Sequence, residues 1–501
     1  MSDPQPEPSH LPASPDISHA RTTQWSADGK IDDDQSSADE QDDEMWSTDE
    51  QSSEESSADD WSYEGFNVTG IRIFRGWWDA RFQDTLPLAL SDRIPLEVFE
   101  FVIDAMIGDQ PTSAAAALVC TMWYPRAMHS LYYAVEIRSR TNFNILFKQC
   151  HASPRVKQSL ASTCRLLANF GGHHNLQALP SALVGVMPRV RILHIENGRL
   201  RFIRADFFLA LSRFKSVTSL TLGHCLLNNI TQLRQIVSAF PQLTDLTIDV
   251  RFAQEGAASY AGAPPFQPSS HIRLRYLNID VHRQEIMAMF LDWMTQSGLC
   301  TSLAGLTFRQ DADYGPPSVG HTPLSSKLLE AAGASLTRYW EVLDHDNAYR
   351  FQSNLLQNTS LRSWNFTLRA MEHSTRDMYT GQTYRAWIEA IHDLSDIFST
   401  IRSRQLERIA VCVPLVFDYN FLAYEKPSAV LKSLNLEGLH EVMSRPYFDA
   451  LQDVEVRTYL SHRMDPSVDV VISEDRLEPI FGGILQPWSA RGVVTVTYRG
   501  H

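Results

Sequence analysis

The sequence predicts an α/β protein with an acidic N-terminal tail, a short packet of about three helices and a parallel β/α solenoid. Three observations support this prediction. Asp, Glu and Ser dominate the first 62 residues. Apolar residues then recur at helical spacing for about 45 residues. After residue 185 an apolar motif recurs, and its first five copies are 26 to 31 residues apart. The predicted boundaries are 1–62 for the tail, 63–90 for a transition segment, 91–137 for the helical packet and 138–501 for the solenoid.

The tail carries nearly all of the net charge of the chain. Residues 1–62 contain 18 Asp or Glu and 2 Lys or Arg, a net of −16, whereas the whole chain has a formal charge of −15. Such a segment buries too little apolar surface to offset the entropy of ordering, so we expect it to be disordered. Its serines precede acidic residues and are candidate kinase sites, and Trp46, Trp61, Tyr63 and Phe66 could form an activation-type binding segment. The nearly neutral remainder predicts no nucleic-acid partner.

The helical packet is predicted from apolar spacing and from its prolines. A first helix opens at Pro95, with Gly108 and Pro111 as its stop. A second helix, rich in alanine, begins near Thr112 or Ser113, because either residue is a suitable N-cap. Pro125 forces a break or a new start, so a third helix runs toward Leu131. A packet this small needs support from the next domain or from another protein.

Several spaced elements of this stretch resemble an F-box, in the form common in fungal F-box-like proteins. Ile94–Val98 reads IPLEV, where the family has Leu-Pro-x-Glu-Leu or Ile, and Leu118–Trp123 reads LVCTMW, where it has Leu-Val-Cys-x-x-Trp. Val102–Asp104, Pro125-Arg126 and Leu131-Tyr132 match further positions of the pattern. The resemblance implies docking to a Skp-family adaptor and, through it, to a cullin–RING ubiquitin ligase. The residues that it implies for adaptor contact are Ile94, Pro95, Leu96, Val98, Leu118, Val119 and Trp123.

A repeat of the form apolar-x-x-apolar-x-apolar follows the packet. It predicts strands at residues 190–195, 217–222, 243–248, 274–279, 303–308, 336–341, 361–366, 406–411, 431–436, 451–456 and 493–498. Residues 230–243, 283–299 and 383–401 have helical apolar spacing. One copy, Val217–Leu227, resembles the leucine-rich-repeat pattern, so we expect an irregular leucine-rich-repeat-like β/α solenoid. Residues 252–271 and 309–324 interrupt the period and are predicted to be loops.

The strand pattern also predicts a candidate surface for a protein target. The apolar positions of each strand point into the core, and the residues between them point to the opposite face of the sheet. Most of these intervening residues are small and polar, as a binding surface tolerates. The candidate target-binding residues are His194, Thr221, Thr247, Asn278, Thr307 and Asn435.

The sequence has none of the short motifs of nucleotide binding, nucleophilic hydrolysis or zinc proteolysis, and no Cys or His pair at metal-ligand spacing. We therefore expect a non-enzyme without cofactor or metal. The six cysteines are expected to be reduced and mostly buried. We see no secretory signal and no apolar stretch long enough for a membrane span, which predicts a cytoplasmic or nuclear protein without a membrane partner.

These observations favour a substrate-receptor subunit of a Skp–cullin–F-box type ubiquitin ligase. The packet would bind the adaptor, and the solenoid would bind an unidentified protein substrate. Two alternatives stay open. In the first, the chain is a non-catalytic repeat scaffold whose packet only caps the end of the solenoid. In the second, it is a regulator that recruits partners through the acidic aromatic tail.

Overall fold

Twelve strands follow one another in sequence order through a single parallel sheet. The computed structural model describes residues 93–169, 177–253, 272–282, 284–310, 324–343, 353–368, 371–372, 385–416, 427–460 and 474–499. The strands are β1 Ala134–Ile137, β2 Arg165–Asn169, β3 Ile192–Glu196, β4 Ser219–Leu227, β5 Asp245–Phe252, β6 Tyr276–Val281, β7 Gly305–Gln310, β8 Arg338–Leu343, β9 Ser363–Thr367, β10 Met371–Glu372, β11 Arg408–Val416, β12 Asp453–Leu460 and β13 Val494–Arg499. The two-residue β10 pairs with the end of β11, beyond β9, and each other strand pairs with the next.

Helices connect most of these strands and bury their apolar sides against the sheet. They are α1 Leu96–Ala105, α2 Gln110–Val119, α3 Tyr124–Tyr133, α4 Arg140–Ala152, α5 Pro154–Leu160, α6 Leu179–Leu183, α7 Ala205–Leu211, α8 Ile230–Ser238, α9 Gln284–Gln296, α10 Leu324–Ala332, α11 Arg385–Ser399, α12 Pro427–Ser433, α13 Glu437–Met443, α14 Glu474–Ile484 and α15 Gln486–Ser489. Short 3-10 turns complete the connections. The α/β class that the sequence predicts is confirmed.

The register of the sheet explains the repeat in the sequence. Leu193, Leu220, Leu246, Leu277 and Leu306 are successive register partners on neighbouring strands, and all are buried. They form one row of the main hydrophobic core, which the buried residues of the helices complete. Because side chains alternate along a strand, the residues between these leucines lie on the other side of the sheet, which we call the polar face.

All but one of the predicted strands are present. Residues 431–436 were predicted as a strand, but they span the end of α12 and the connection to α13. Pro427 opens α12, and Val430, Leu431 and Leu434 then follow at helical spacing, which favours the helix. Strands β1 and β2 were not predicted, because each has only a short alternating run. The sheet therefore begins at Ala134, before the predicted boundary at residue 138.

The three predicted helices of the packet are α1, α2 and α3. Ile103 of α1, Ala116 and Ala117 of α2 and Ala127 of α3 form a small buried cluster separate from the main core. The alanines permit this close approach, as the sequence predicts. Arg126 forms a salt bridge with Asp104, with its Nε 2.6 Å from Oδ1, and this pair joins α3 to α1.

The packet continues into the sheet without a linker. Tyr133 is the last residue of α3, and Ala134 is the first residue of β1. Thr163 Oγ1 donates to the carbonyl of Tyr132 at 2.9 Å, and the amide of Cys164 donates to the carbonyl of Tyr133 at 3.0 Å. The packet is therefore hydrogen-bonded to the segment that leads into β2, in agreement with the support that its small size predicts.

The start of α2 differs from the prediction. The helix begins at Gln110, two to three residues earlier than predicted, with Pro111 inside its first turn. Asp109 is the N-cap, and its carboxylate accepts hydrogen bonds from the amide of Thr112 at 3.2 Å and from Thr112 Oγ1 at 2.7 Å. Thr112 is thus the capped residue and not the cap. Pro111 is tolerated at this position because its missing amide hydrogen has no partner within the helix.

Asp109→Ala is expected to destabilise α2 by about 1 kcal/mol, because the cap hydrogen bonds are lost. Amide hydrogen exchange within α2 should then become about fivefold faster. Asp109→Asn is the matched control and should exchange at nearly the wild-type rate, since Asn is an equally good N-cap. Equal rates for Asp109→Ala and Asp109→Asn would contradict the capping role.

The predicted disordered tail, the transition segment and most of the two predicted loops lie outside the described residues. Among the described residues, no helix is long and apolar enough to cross a membrane. All six cysteines are free, and Cys150, Cys225, Cys300 and Cys412 are buried. Most of the thiols are therefore buried, as expected, whereas Cys164 is half-buried and Cys120 is exposed.

Candidate functional site

Two helices of the packet each present an apolar stripe that is not covered by the rest of the described structure. On α1, Val98, Phe101 and Val102 are exposed, and Phe101 is 75% exposed. On α2 and just after it, Leu118, Val119 and Met122 are exposed, and Leu118 is 86% exposed. We call these six residues the packet stripes. Large exposed apolar side chains grouped on one element mark sites of protein interaction.

Helical geometry explains why these residues are exposed. On α1, Phe99, Ile103 and Met106 face the small core, whereas Val98 and Val102 lie on the other side. On α2, the inward positions are taken by small side chains, namely Ser113, Ala116 and Ala117. Each helix is therefore apolar on two sides, and the packing within the chain covers only one of them.

The residues predicted for adaptor contact divide into two groups. Val98, Leu118 and Val119 are exposed members of the packet stripes, and Pro95 is exposed beside them in the chain. Ile94, Leu96 and Trp123 are half-buried, and the Trp123 ring lies 5.0 Å from the Phe99 ring, so Trp123 also holds the packet together. The prediction missed Phe101 and Met122. Phe101 lies three residues after Val98 on α1, and this helical spacing is the signal that could have found it. Met122 lies beyond the end of α2, so helical spacing does not indicate it.

On the polar face, five of the six predicted target-binding residues form one row. His194, Thr221, Thr247, Asn278 and Thr307 are successive register partners from β3 to β7. None of them is fully buried. Asn435 does not belong to this row, because it lies between α12 and α13 and not in a strand.

An aromatic group lies next to this row. Tyr276 begins β6, is 42% exposed and has Gly305 as its register partner. A Cβ atom at residue 305 would lie only 2.8 Å from Cδ1 of Tyr276, so any other residue there would force the tyrosine ring out of this position. Trp340, half-buried on β8, is the register partner of Thr307. Tyr and Trp with accessible faces are common anchors of protein interfaces.

A charged cluster lies in the C-terminal halves of β4 and β5 and at the end of β6. Asp249 is 2.8 Å from Nε2 of His282 and 2.7 Å from Nδ1 of His224. Burial would raise the pKa of Asp249, but the hydrogen bond from His282 and the charge of His224 outweigh it and lower the pKa below its usual value. Asp280, the register partner of Asp249, pairs with Arg309 at 3.5 Å.

One donor atom each from Asp249, Asp280 and His282 lies within 4.8 Å of the others. Oxygen and nitrogen donors at this separation are of the kind that bind divalent cations. The two histidines and Arg309 already stabilise the carboxylates, so the cluster is held together by its own contacts. No pattern in the sequence indicates this group, because its members come from different strands and only the register brings them together.

His194 and Glu196 of β3 form a second pair on the polar face, with Nε2 and Oε1 3.6 Å apart. Burial lowers the pKa of His194, and the charge of Glu196 opposes this shift. His194 is therefore favoured in its neutral form, which can both donate and accept a hydrogen bond to a bound molecule.

No protein-family model matches this chain, and a search of curated proteins finds no similar sequence.

Proposed function

We propose that this protein is a substrate-receptor subunit of a Skp–cullin–F-box type ubiquitin ligase. The packet would bind the Skp-family adaptor, and the polar face would bind the target protein. The observation that carries the proposal is the coincidence of two independent features. Residues of the F-box resemblance, Val98, Leu118 and Val119, are also exposed apolar residues of the packet stripes.

The exposed stripes support an interface more than a purely internal role. Leaving six large apolar side chains in water costs free energy at about 25 cal/mol per Å² of apolar surface, which a partner would recover by covering them. Apolar anchors that become fully desolvated carry most of the binding energy at protein interfaces. The half-buried Trp123 would support the exposed residues of the interface by packing within the packet.

The rest of the chain fits an irregular leucine-rich-repeat-like solenoid. Parallel strands in sequence order, with a leucine row in the core and a polar row outside, are what this architecture requires. The polar face, with its threonines, Asn278 and the exposed Tyr276, offers hydrogen-bonding groups beside an aromatic anchor. In the proposed mechanism the chain makes and breaks no covalent bond and instead holds the target close to a charged ubiquitin carrier. Such a receptor is expected in the cytoplasm or the nucleus.

Affinity purification of the full chain with a Skp-family adaptor tests the proposal. We expect a stoichiometric complex, and we expect Tyr276→Ala with Trp340→Ala to keep the adaptor while losing co-purified target. A chain that binds no adaptor when the adaptor is present in excess would refute the receptor function.

The alternative of a scaffold with a capping packet has one observation in its favour. The packet joins β1 directly, and the Arg155 guanidinium of α5 lies 5.1 Å from the centre of the Tyr124 ring of α3. A cap explains this contact but not the packet stripes. The adaptor experiment separates the two functions, since a cap has no need of an adaptor. The alternative that acts through the acidic tail concerns residues outside the described structure.

A further inference from the structure

One edge of the sheet is strongly basic. From β3 to β9, the described segments that lead into the strands contain eight cations and a single carboxylate, Asp245. We call these cations the basic edge. They are Arg189, Arg191, Arg213, Lys215, Arg273, Arg275, Arg338 and Arg362, and all eight are exposed. Because the strands are parallel, all their N-terminal ends lie at the same edge.

Within the described residues, the fold uses only one of these eight charges for an ion pair of its own. Among the residues that the structure describes, Arg362 pairs loosely with Glu407 at 3.6 Å, and the other seven cations form no ion pair. Asp245 is half-buried and accepts a hydrogen bond from Thr244 Oγ1 at 2.6 Å. Unpaired like charges along one edge repel one another and do not stabilise the fold. Their clustering therefore favours an external anionic partner.

The register sets the spacing of the cations. Backbone hydrogen bonds link Arg191, Thr218, Thr244, Arg275, Ala304, Thr337 and Arg362 in one row across the strands. Neighbouring strands lie about 4.8 Å apart, so Arg191, Arg275 and Arg362 follow at intervals of three strands, or about 14 Å. The row extends over about 29 Å, which an extended peptide spans with about eight or nine residues.

This spacing favours distributed carboxylates over a single phosphate. A phosphoryl group is held by cations that converge on one point, whereas these arginines are spread along a line. Arginine also binds carboxylates in a bidentate geometry. The basic run is short, because Glu407 and Asp453 lie at the same edge beyond β9. A long nucleic acid would extend past the run and meet these carboxylates.

We propose that the basic edge binds a segment rich in Asp and Glu from a partner protein, extended across the strands from β3 to β9. The binding does not require the adaptor. If the proposed function holds, the segment belongs to the target, and the basic edge then selects targets with an acidic stretch next to the polar face.

A fluorescein-labelled peptide of twelve alternating Asp and Glu residues tests this inference by fluorescence anisotropy on the full chain. We expect saturable binding at 0.1 M salt that weakens as salt is added, because exposed charges are screened. Arg191→Glu, Arg275→Glu and Arg362→Glu together should lower the affinity at least thirtyfold. The matched control reverses three exposed arginines at the opposite edge, Arg199, Arg204 and Arg251, and should lower it less than threefold.

Equal losses in the two triple variants would overturn the inference, because net charge alone would then explain the binding. Absence of saturable binding by the wild type would also overturn it, as would tighter binding of a twelve-nucleotide single-stranded RNA or of a singly phosphorylated neutral peptide. Co-purification with the adaptor is measured on the same samples. A chain that binds the adaptor but does not bind the peptide refutes this inference alone. A chain that binds the peptide but does not bind the adaptor refutes only the proposed function.

Discussion

Replacing Phe101 and Leu118 together by glutamate is expected to lower the affinity for a Skp-family adaptor at least a hundredfold. Both side chains are largely exposed, so the change places charges in the proposed interface without creating a cavity in the core. A charge buried against an apolar partner surface is costly unless it is paired. Exposed substitutions of this kind change the free energy of unfolding by no more than about 0.5 kcal/mol. Titration calorimetry with the purified adaptor and urea unfolding measure the two quantities.

Leu209→Glu is the matched control for this variant. Leu209 lies on α7, outside the packet, and is 67% exposed. The control therefore also replaces an exposed leucine by a charged residue. It should leave adaptor affinity within about twofold of the wild type. Wild-type affinity in the Phe101 and Leu118 variant would exclude the packet stripes as the interface, whatever the control shows.

Glu341→Gln is expected to make the stability of the protein markedly less sensitive to a rise in pH from 5 to 8. Glu341 on β8 is buried, and burial raises its pKa to about 7. Its carboxyl group accepts a hydrogen bond from Ser353 at 2.9 Å, and the hydroxyls of Tyr339 and Ser325 also contact Ser353, at 3.0 and 2.7 Å. Burial holds the pKa of Tyr339 well above its usual value, so Tyr339 stays neutral.

The raised pKa fixes the direction of the effect. The folded protein holds the proton of Glu341 more tightly than the unfolded chain, so this group costs no stability below about pH 4.5 and destabilises the fold as the pH rises through 7. Between pH 5 and pH 8 the free energy of unfolding of the wild type should fall by about 2 to 3 kcal/mol more than that of Glu341→Gln. Urea unfolding at pH 5, 6, 7 and 8 measures this difference.

Glu455→Gln provides the comparison for the pH series. Hydrogen bonds from Arg457 and Arg408 lower the pKa of Glu455, so its carboxylate is ionised throughout this range. The stability difference between Glu455→Gln and the wild type should therefore stay nearly constant from pH 5 to pH 8. If the Glu341→Gln difference is equally flat, Glu341 does not hold its proton in the folded protein at neutral pH.

The local apolar pattern predicts most of the sheet, because apolar and polar residues alternate along each strand and the apolar ones indicate the side that faces the core. The spacing alone predicts that Leu220 and Thr221 lie on opposite sides of the sheet, and their burial agrees, because Leu220 and its register partners are buried whereas Thr221 and its partners are not. The same pattern was wrong at residues 431–436, where Leu431 and Leu434 also fit a helix that Pro427 can start. A six-residue apolar pattern does not distinguish the two structures.

Features that depend on packing or register cannot be predicted from the sequence alone. Val98 and Phe99 are equally apolar, and only the position of α3 decides that one is exposed and the other faces Trp123. The Asp249 cluster and the basic edge combine residues from strands that are dozens of positions apart in the chain. The sequence does not reveal the capping role of Asp109, because Pro111 is compatible both with the end of one helix and with the first turn of the next.

The direct junction between Tyr133 and Ala134 has a mechanical consequence under the proposed function. With no hinge between the adaptor-binding helices and the first strand, the subunit would behave as a rigid spacer, and the gap between docked target and ubiquitin carrier would be fixed by the length of the sheet. Only those target lysines that reach across this gap could be modified, so selection among lysines would depend on the size and flexibility of the target itself.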